Sequence, residues 1–83
     1  MRQYLYVEQV GDKRMQQFEL DGREFIELHN LLKITGMCNS GGQAKLLIAE
    51  GLARVDGKAE TRKRCKIRTG QVVEFEGQKI SVQ

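Results

Sequence analysis

The densest chemistry in this sequence is Arg62-Lys63-Arg64-Cys65-Lys66-Ile67-Arg68, five cations in seven residues. If the segment is extended, Arg62, Arg64, Lys66 and Arg68 share one face. Cys65 and Ile67 then share the other, because successive strand side chains alternate. Cations at every second residue stand about 6.5–7 Å apart, near the phosphate spacing along one nucleic-acid strand. A charged row also protects a sheet from aggregation, but lysine alone would do that. The three arginines of the row favour the planar, two-pronged grip that a guanidinium gives phosphate.

Ser40-Gly41-Gly42-Gln43 is a second candidate. Its spacing is that of a capping box, in which the Ser40 hydroxyl accepts from the Gln43 amide and the Gln43 side chain reaches back. A helix start carries unpaired N–H groups and a partial positive charge, and two glycines let a phosphate come close. Lys45 sits just within the first turns. By itself the motif is an ordinary helix cap. It becomes a phosphate seat only if the basic strand lies nearby.

The aromatics bear on the kind of partner. Tyr4, Tyr6, Phe18 and Phe25 come early and Phe75 late, so none falls within 26–74. Readers of single strands interleave aromatics with cations. Their absence from the basic stretch points to a folded or double-helical partner held by its backbone.

Other chemistry finds little support. His29 is the one histidine, and Cys38 and Cys65 are far apart with no third ligand beside them, so no metal site is expected. There is no Gly-x-x-x-x-Gly-Lys loop and no paired carboxylates in a pocket-forming pattern. The expectation is a non-enzyme with no cofactor and no small-molecule substrate. Both cysteines should be reduced small hydrophobes in or near the core. Cys38, in a loop, is expected to be partly exposed, and Cys65 to face inward.

The elements that must carry these residues are short. The chain has 83 residues, 40% hydrophobic and 30% charged, which supports a single domain spanning 1–83 with one small core. There is no long apolar run, and a charge interrupts the N-terminal stretch early. No membrane association is expected, and the expected address is cytoplasmic. The net charge of +3 is uneven, with nine cations against three acids in 31–68 and an acidic balance on either side. Such asymmetry suggests a polyanionic partner.

Residues 3–7 favour a strand, Gly11-Asp12-Lys13 a turn, and Gln16–Leu20 alternates with Phe18 and Leu20 on one face. This N-terminal part is either a hairpin or one strand with a loose tail, 1–16 being a strand or an extension. Phe25, Leu28, Leu31 and Leu32 have helical spacing, so a first helix is expected from about Glu24 to Lys33, stopped by Gly36. A second helix follows Ser40 and runs to about Glu50. Ala44, Leu47 and Ile48 form its buried stripe, and Gly51 stops it. The period then becomes two: Ala53 and Val55 point one way, Leu52 and Arg54 the other. Asp56-Gly57 is the strongest hairpin signal. Val73 and Phe75 alternate with Glu74 and Glu76, and a turn near Gly77-Gln78 leads to Ile80 and Val82.

The ordered set of motifs carries a resemblance. Leu28-x-x-Leu31-Leu32, Gly36, Ser40-x-x-x-Ala44-Lys45-x-x-Ile48-x-x-Gly51-x-x-Arg54-Val55-Asp56-Gly57 and Gly70-Gln71-x-Val73 together resemble the ribosomal protein S-four type RNA-binding domain over about 25–76. With Thr61-Arg62-Lys63-Arg64 added, the pattern is most similar to the small stand-alone bacterial branch, the YbcJ-like proteins, which are described as ribosome-associated.

The resemblance implies an α+β fold, the αL motif: a helix-turn-helix-like pair packed on a small, mostly antiparallel sheet. It implies a monomer that binds structured RNA, with ribosomal RNA or the ribosome as the expected target, through helix two and the following strands. Ser40, Lys45, Arg54 and Lys58 fall on the family's RNA-facing positions. The expected interface is therefore Ser40, Gly41, Gly42, Gln43, Lys45, Arg54, Lys58, Arg62, Lys63, Arg64, Lys66 and Arg68. Gly41 stands where the family usually has arginine, Gln43 for a common glutamate and Gln71 for aspartate. Cys65 stands for an aromatic or aliphatic residue. The alternative is a protein-interaction module that docks the same basic face on an acidic partner.

Overall fold

The computed structural model describes residues 15–83, so the expected strand at 3–7 and turn at 11–13 lie outside the described residues. The elements run β1 (Met15–Phe18), β2 (Ile26–Glu27), α1 (Leu28–Ile34), α2 (Gly41–Ala49), β3 (Ala53–Val55), β4 (Lys58–Glu60), β5 (Lys66–Ile67), β6 (Val72–Phe75) and β7 (Gln78–Val82). The main sheet has the order β1-β7-β6-β3-β4, and β2 pairs with β5 in a separate ribbon. Every pairing is antiparallel except β1 with β7. The expected α+β architecture, two helices on a mostly antiparallel sheet, is what forms.

Strand parity explains the core. Ala53, Val55, Val73, Phe75, Ile80 and Val82 are buried from three adjacent strands, and they meet Leu28, Leu31 and Leu32 of α1 and Ala44 and Ile48 of α2. The alternate residues Arg54, Glu74 and Lys79 form a cross-strand row on the other face. The same turn closes both β-hairpins. Asp56 and Gly57 have φ of 52° and 86°, and Glu76 and Gly77 have 52° and 79°. Two successive positive φ values give the tight turn that matches the twist of paired strands, and glycine at the second position adopts them without steric cost.

Both helices end in the same way. The Gly36 N–H donates to Lys33 O and Met37 N–H to Leu32 O; Gly51 N–H donates to Ile48 O and Leu52 N–H to Leu47 O. These paired bonds satisfy carbonyls that the helix leaves open.

The first helix starts later than its spacing suggests. α1 begins at Leu28, not near Glu24, because Ile26 and Glu27 are taken by pairing with Ile67 and Lys66. Phe25 therefore lies before a strand rather than on a helix. Glu27 makes no side-chain cap. Instead the Leu28 and His29 N–H groups donate to Cys65 O (2.9 Å) and Lys63 O (3.1 Å), so the basic segment itself caps α1.

One of the two cysteines departs from expectation. Cys38 is 3% exposed and belongs to the core cluster, because the α1 stop turns its loop inward: its N–H donates to Leu32 O. Cys65 is half-buried and packs against the core from outside. Burial raises both thiols above their ordinary pKa.

Candidate nucleic-acid interface

The basic segment is not one strand. Only Lys66 and Ile67 are paired, and Arg62–Cys65 is a turn closed by the Cys65 N–H on Arg62 O (3.1 Å). The single row of Arg62, Arg64, Lys66 and Arg68 is therefore replaced by cations fanned around a turn. Ile67 does point into the core, fully buried.

Each of these cations has its own surroundings. The Arg62 guanidinium grips Glu60 through Nε to Oε2 (2.9 Å) and NH2 to Oε1 (3.1 Å), and its backbone N–H donates to the same carboxylate (2.9 Å). These bonds pull the Glu60 carboxyl down to about 2. Arg64 lies 3.9 Å from the Glu27 carboxylate, whose other oxygen is 2.9 Å from His29 Nε2. Lys66 and Arg68 approach the Phe25 ring, at 4.9 and 5.5 Å from its centroid. Lys63 occupies the turn and is exposed.

The capping box at α2 forms with one change. Ser40 Oγ accepts from the Gln43 N–H (3.1 Å), as expected, but Gln43 Oε1 accepts from the Asn39 N–H (2.7 Å), one residue before the cap. A Cβ at Gly41 would stand in open space, and one at Gly42 would meet only Ser40 Oγ at 3.9 Å. Neither glycine is forced by crowding, so both leave room beside the helix start. Lys45 is half-buried on α2. Among the described residues no hydrogen bond or ion pair joins 40–45 to 62–68; the basic segment instead contacts Glu60, β2 and the start of α1.

Arg54 and Lys58 lie on the β3–β4 hairpin, both exposed, with Arg54 opposite Ala59 and Glu74 in the ladders. The hairpin is tied to the basic segment through Asp56 and Gln71. Asp56 accepts from the Val72 N–H (3.0 Å) and from Gln71 Nε2 (3.1 Å), while Gln71 Oε1 accepts from the Arg68 N–H (2.8 Å). These bonds, the Val72 N–H first, hold the Asp56 carboxyl below its ordinary value. Gln71 thus fixes where Arg68 leaves β5 relative to the hairpin that carries Lys58. Sequence spacing did not single out this role.

Two other features are separate from the cations. A hollow of about 240 Å³ is lined by Gln16, Thr35, Gly36, Met37, Phe75, Glu76 and Gln78 and contains no cation. No group of three or more metal-ligating side chains and no helix long and apolar enough to cross a membrane occurs among the described residues.

Comparison with known proteins adds to this geometry. Residues 18–83 match the family model for the S4 domain. The chain is 52% identical over 68 residues to the "Putative RNA-binding protein YbcJ" of Escherichia coli (strain K12), an alignment covering 82% of this chain and 97% of that one. A Shigella flexneri protein, "Uncharacterized protein YbcJ", matches to the same extent. The solution structure of YbcJ from E. coli, described as revealing an αL motif involved in RNA binding, superposes with a TM-score of 0.65. It is 43% identical and covers 95% of this chain and 98% of that chain.

Proposed function

The chain belongs to the S4 domain family, and from that premise we propose that it binds structured RNA, without catalysis, by gripping its phosphate backbone. The observation that carries this reading is the stretch 58–68. Its six cations, Lys58, Arg62, Lys63, Arg64, Lys66 and Arg68, are all exposed, and Glu60 is the only acid among them. The name of the E. coli relative supports it. Lys45, Arg54 and the Ser40–Gln43 helix start extend the interface, and ribosomal RNA is the target class to which the family resemblance points.

The cations differ in readiness. Among the described residues Lys63 has no ion-pair partner and Arg64 is loosely held, 3.9 Å from Glu27, whereas Arg62 must first leave a two-pronged pair with Glu60. Fluorescence anisotropy with a fully paired RNA hairpin, over a range of salt, tests this. Each phosphate neutralised contributes a log–log salt slope of about −0.7 to −0.9. Lys63→Gln with Arg64→Gln should lower the slope by about one to two units, while Arg62→Gln changes it less. Gly41→Arg, which restores the family's usual side chain in open space, should raise it by about one. Losses should be similar across RNA sequences, because phosphate contacts carry little sequence information. An unchanged slope in the folded double variant would remove this face from RNA binding and favour docking on an acidic protein.

A further inference from the structure

Phe25 is an anomaly among the three phenylalanines. Phe75 is buried in the core, and Phe18 packs against it. Phe25 is half-buried yet lies outside the core cluster and the hydrophobics packed against it. Its position follows from the β2–β5 ribbon. Ile26 faces inward opposite Ile67, so Phe25 and Glu27 face outward, as do Lys66 and Arg68. Among the described residues, two cationic side chains lie over the ring, Lys66 and Arg68, at 4.9 and 5.5 Å from its centroid.

This arrangement supplies what the sequence order seemed to lack, an aromatic among the cations. Lys66 and Arg68 are both exposed, on long flexible stems. A cation over a half-buried ring at the surface is held more weakly than a nucleobase stacks on one. An arriving base therefore displaces a cation from the ring, and that cation becomes available to the nucleotide's phosphate. Glu27, on the same outward face, does not oppose this strongly, because it already faces His29 and Arg64.

We propose that Phe25, Lys66 and Arg68 form a seat for one unpaired nucleotide of the RNA, the ring stacking on its base and the two cations taking its phosphates. The inference rests on the RNA-binding reading above and adds to it. A bulged or looped-out nucleotide next to a duplex fits it best, with the duplex backbone on the cations of 58–64 and the extruded base on Phe25.

The test uses the full chain and two RNA hairpins that differ only by a single bulged 2-aminopurine. Stacking quenches 2-aminopurine, so its emission reports the contact without any variant. The wild-type protein should bind the bulged hairpin about tenfold more tightly than the paired one and quench the bulge. Phe25→Leu keeps apolar bulk and should lose both the preference and the quenching, while its binding to the paired hairpin stays unchanged. Phe25→Trp should retain both.

Equal wild-type affinity for the two hairpins, with no change in emission, overturns the seat and leaves backbone binding intact. Full preference and quenching in Phe25→Leu overturns it too. No binding to either hairpin removes the RNA reading itself and this inference with it.

Discussion

The hairpins at 53–60 and 72–82 and the segment 61–71 between them occupy neighbouring space but are held by different forces. In the hairpins Ala53 and Val55 of β3, Val73 and Phe75 of β6, and Ile80 and Val82 of β7 are buried against the same core, and the turns set φ at two consecutive residues. In 61–71 only Ile67 reaches the core as a fully buried side chain. Its shape depends on point contacts: Glu60 on Arg62, Asp56 and Gln71 on the start of β6, and Phe25 under Lys66 and Arg68. Many shared apolar contacts make the hairpins insensitive to surface change. Few separate polar contacts leave the basic segment free to exchange partners, as a binding surface requires.

The largest effects should therefore fall in the core. Ile48→Ala removes a fully buried side chain and should cost about 2–5 kcal/mol, a large share of a total of about 5–15 kcal/mol. Leu47→Ala, at a half-buried neighbour, should cost clearly less. Urea unfolding of both measures the difference, and equal losses would mean that the apolar face of α2 is broader than its burial shows.

Cys38→Ser comes next, at about 1–3 kcal/mol, since a hydroxyl would replace a thiol that is 3% exposed among apolar side chains. Cys65→Ser should cost less. The reverse order in thermal melting would put the basic segment, not the α1–α2 loop, against the core.

Two glycines then contrast turn with helix start. Gly57→Ala should lose about 1–2 kcal/mol, because φ of 86° is unfavourable for any Cβ even in open space. Gly41→Ala has neither a positive φ nor a neighbour within 4 Å, and should gain about 0.4–1 kcal/mol. Equal losses would show that the α2 start needs its glycine for folding.

The smallest effect is expected in the basic segment. The folded Glu60 carboxyl is held at about 2, below its ordinary 4.5, by the side-chain and backbone donors of Arg62. Since the folded value is the lower one, the pair contributes stability above about pH 4.5 and loses it as pH falls towards about 2. Solvent around the exposed Arg62 keeps this contribution small. Glu60→Gln should remove this small contribution at neutral pH, flatten stability between about pH 4.5 and 2, and match the wild-type protein below that window. A large loss at neutral pH would give 61–71 the same structural weight as the hairpins.

Particular residues show how much was legible. The α2 cap at Ser40, the glycine stops at 36 and 51, the Asp56-Gly57 turn and the inward parity of Ala53, Val55, Val73 and Phe75 all follow from neighbours in the chain. The start of α1 did not, because helical spacing at Phe25 and Leu28 competes with a pairing to residues 66–67 that no local pattern announces. Cys38 looked partly exposed because nothing in Met37-Cys38-Asn39 reveals that the loop folds inward.

The sequence by itself determined the family, the two-helix and sheet architecture, and the concentration of cations in 58–68. Local sterics and side-chain periodicity depend on residues close in the chain, and charge content depends on composition alone. Only the tertiary structure decided which cations are engaged. It bent 62–65 into a turn, gave Arg62 to Glu60, and set Phe25 beneath Lys66 and Arg68. The Phe25 contact joins segments remote in sequence, which meet only once β2 has paired with β5. The turn and the Arg62–Glu60 pair are local, but they form where the bonds from Leu28 and His29 hold Cys65 and Lys63 against α1.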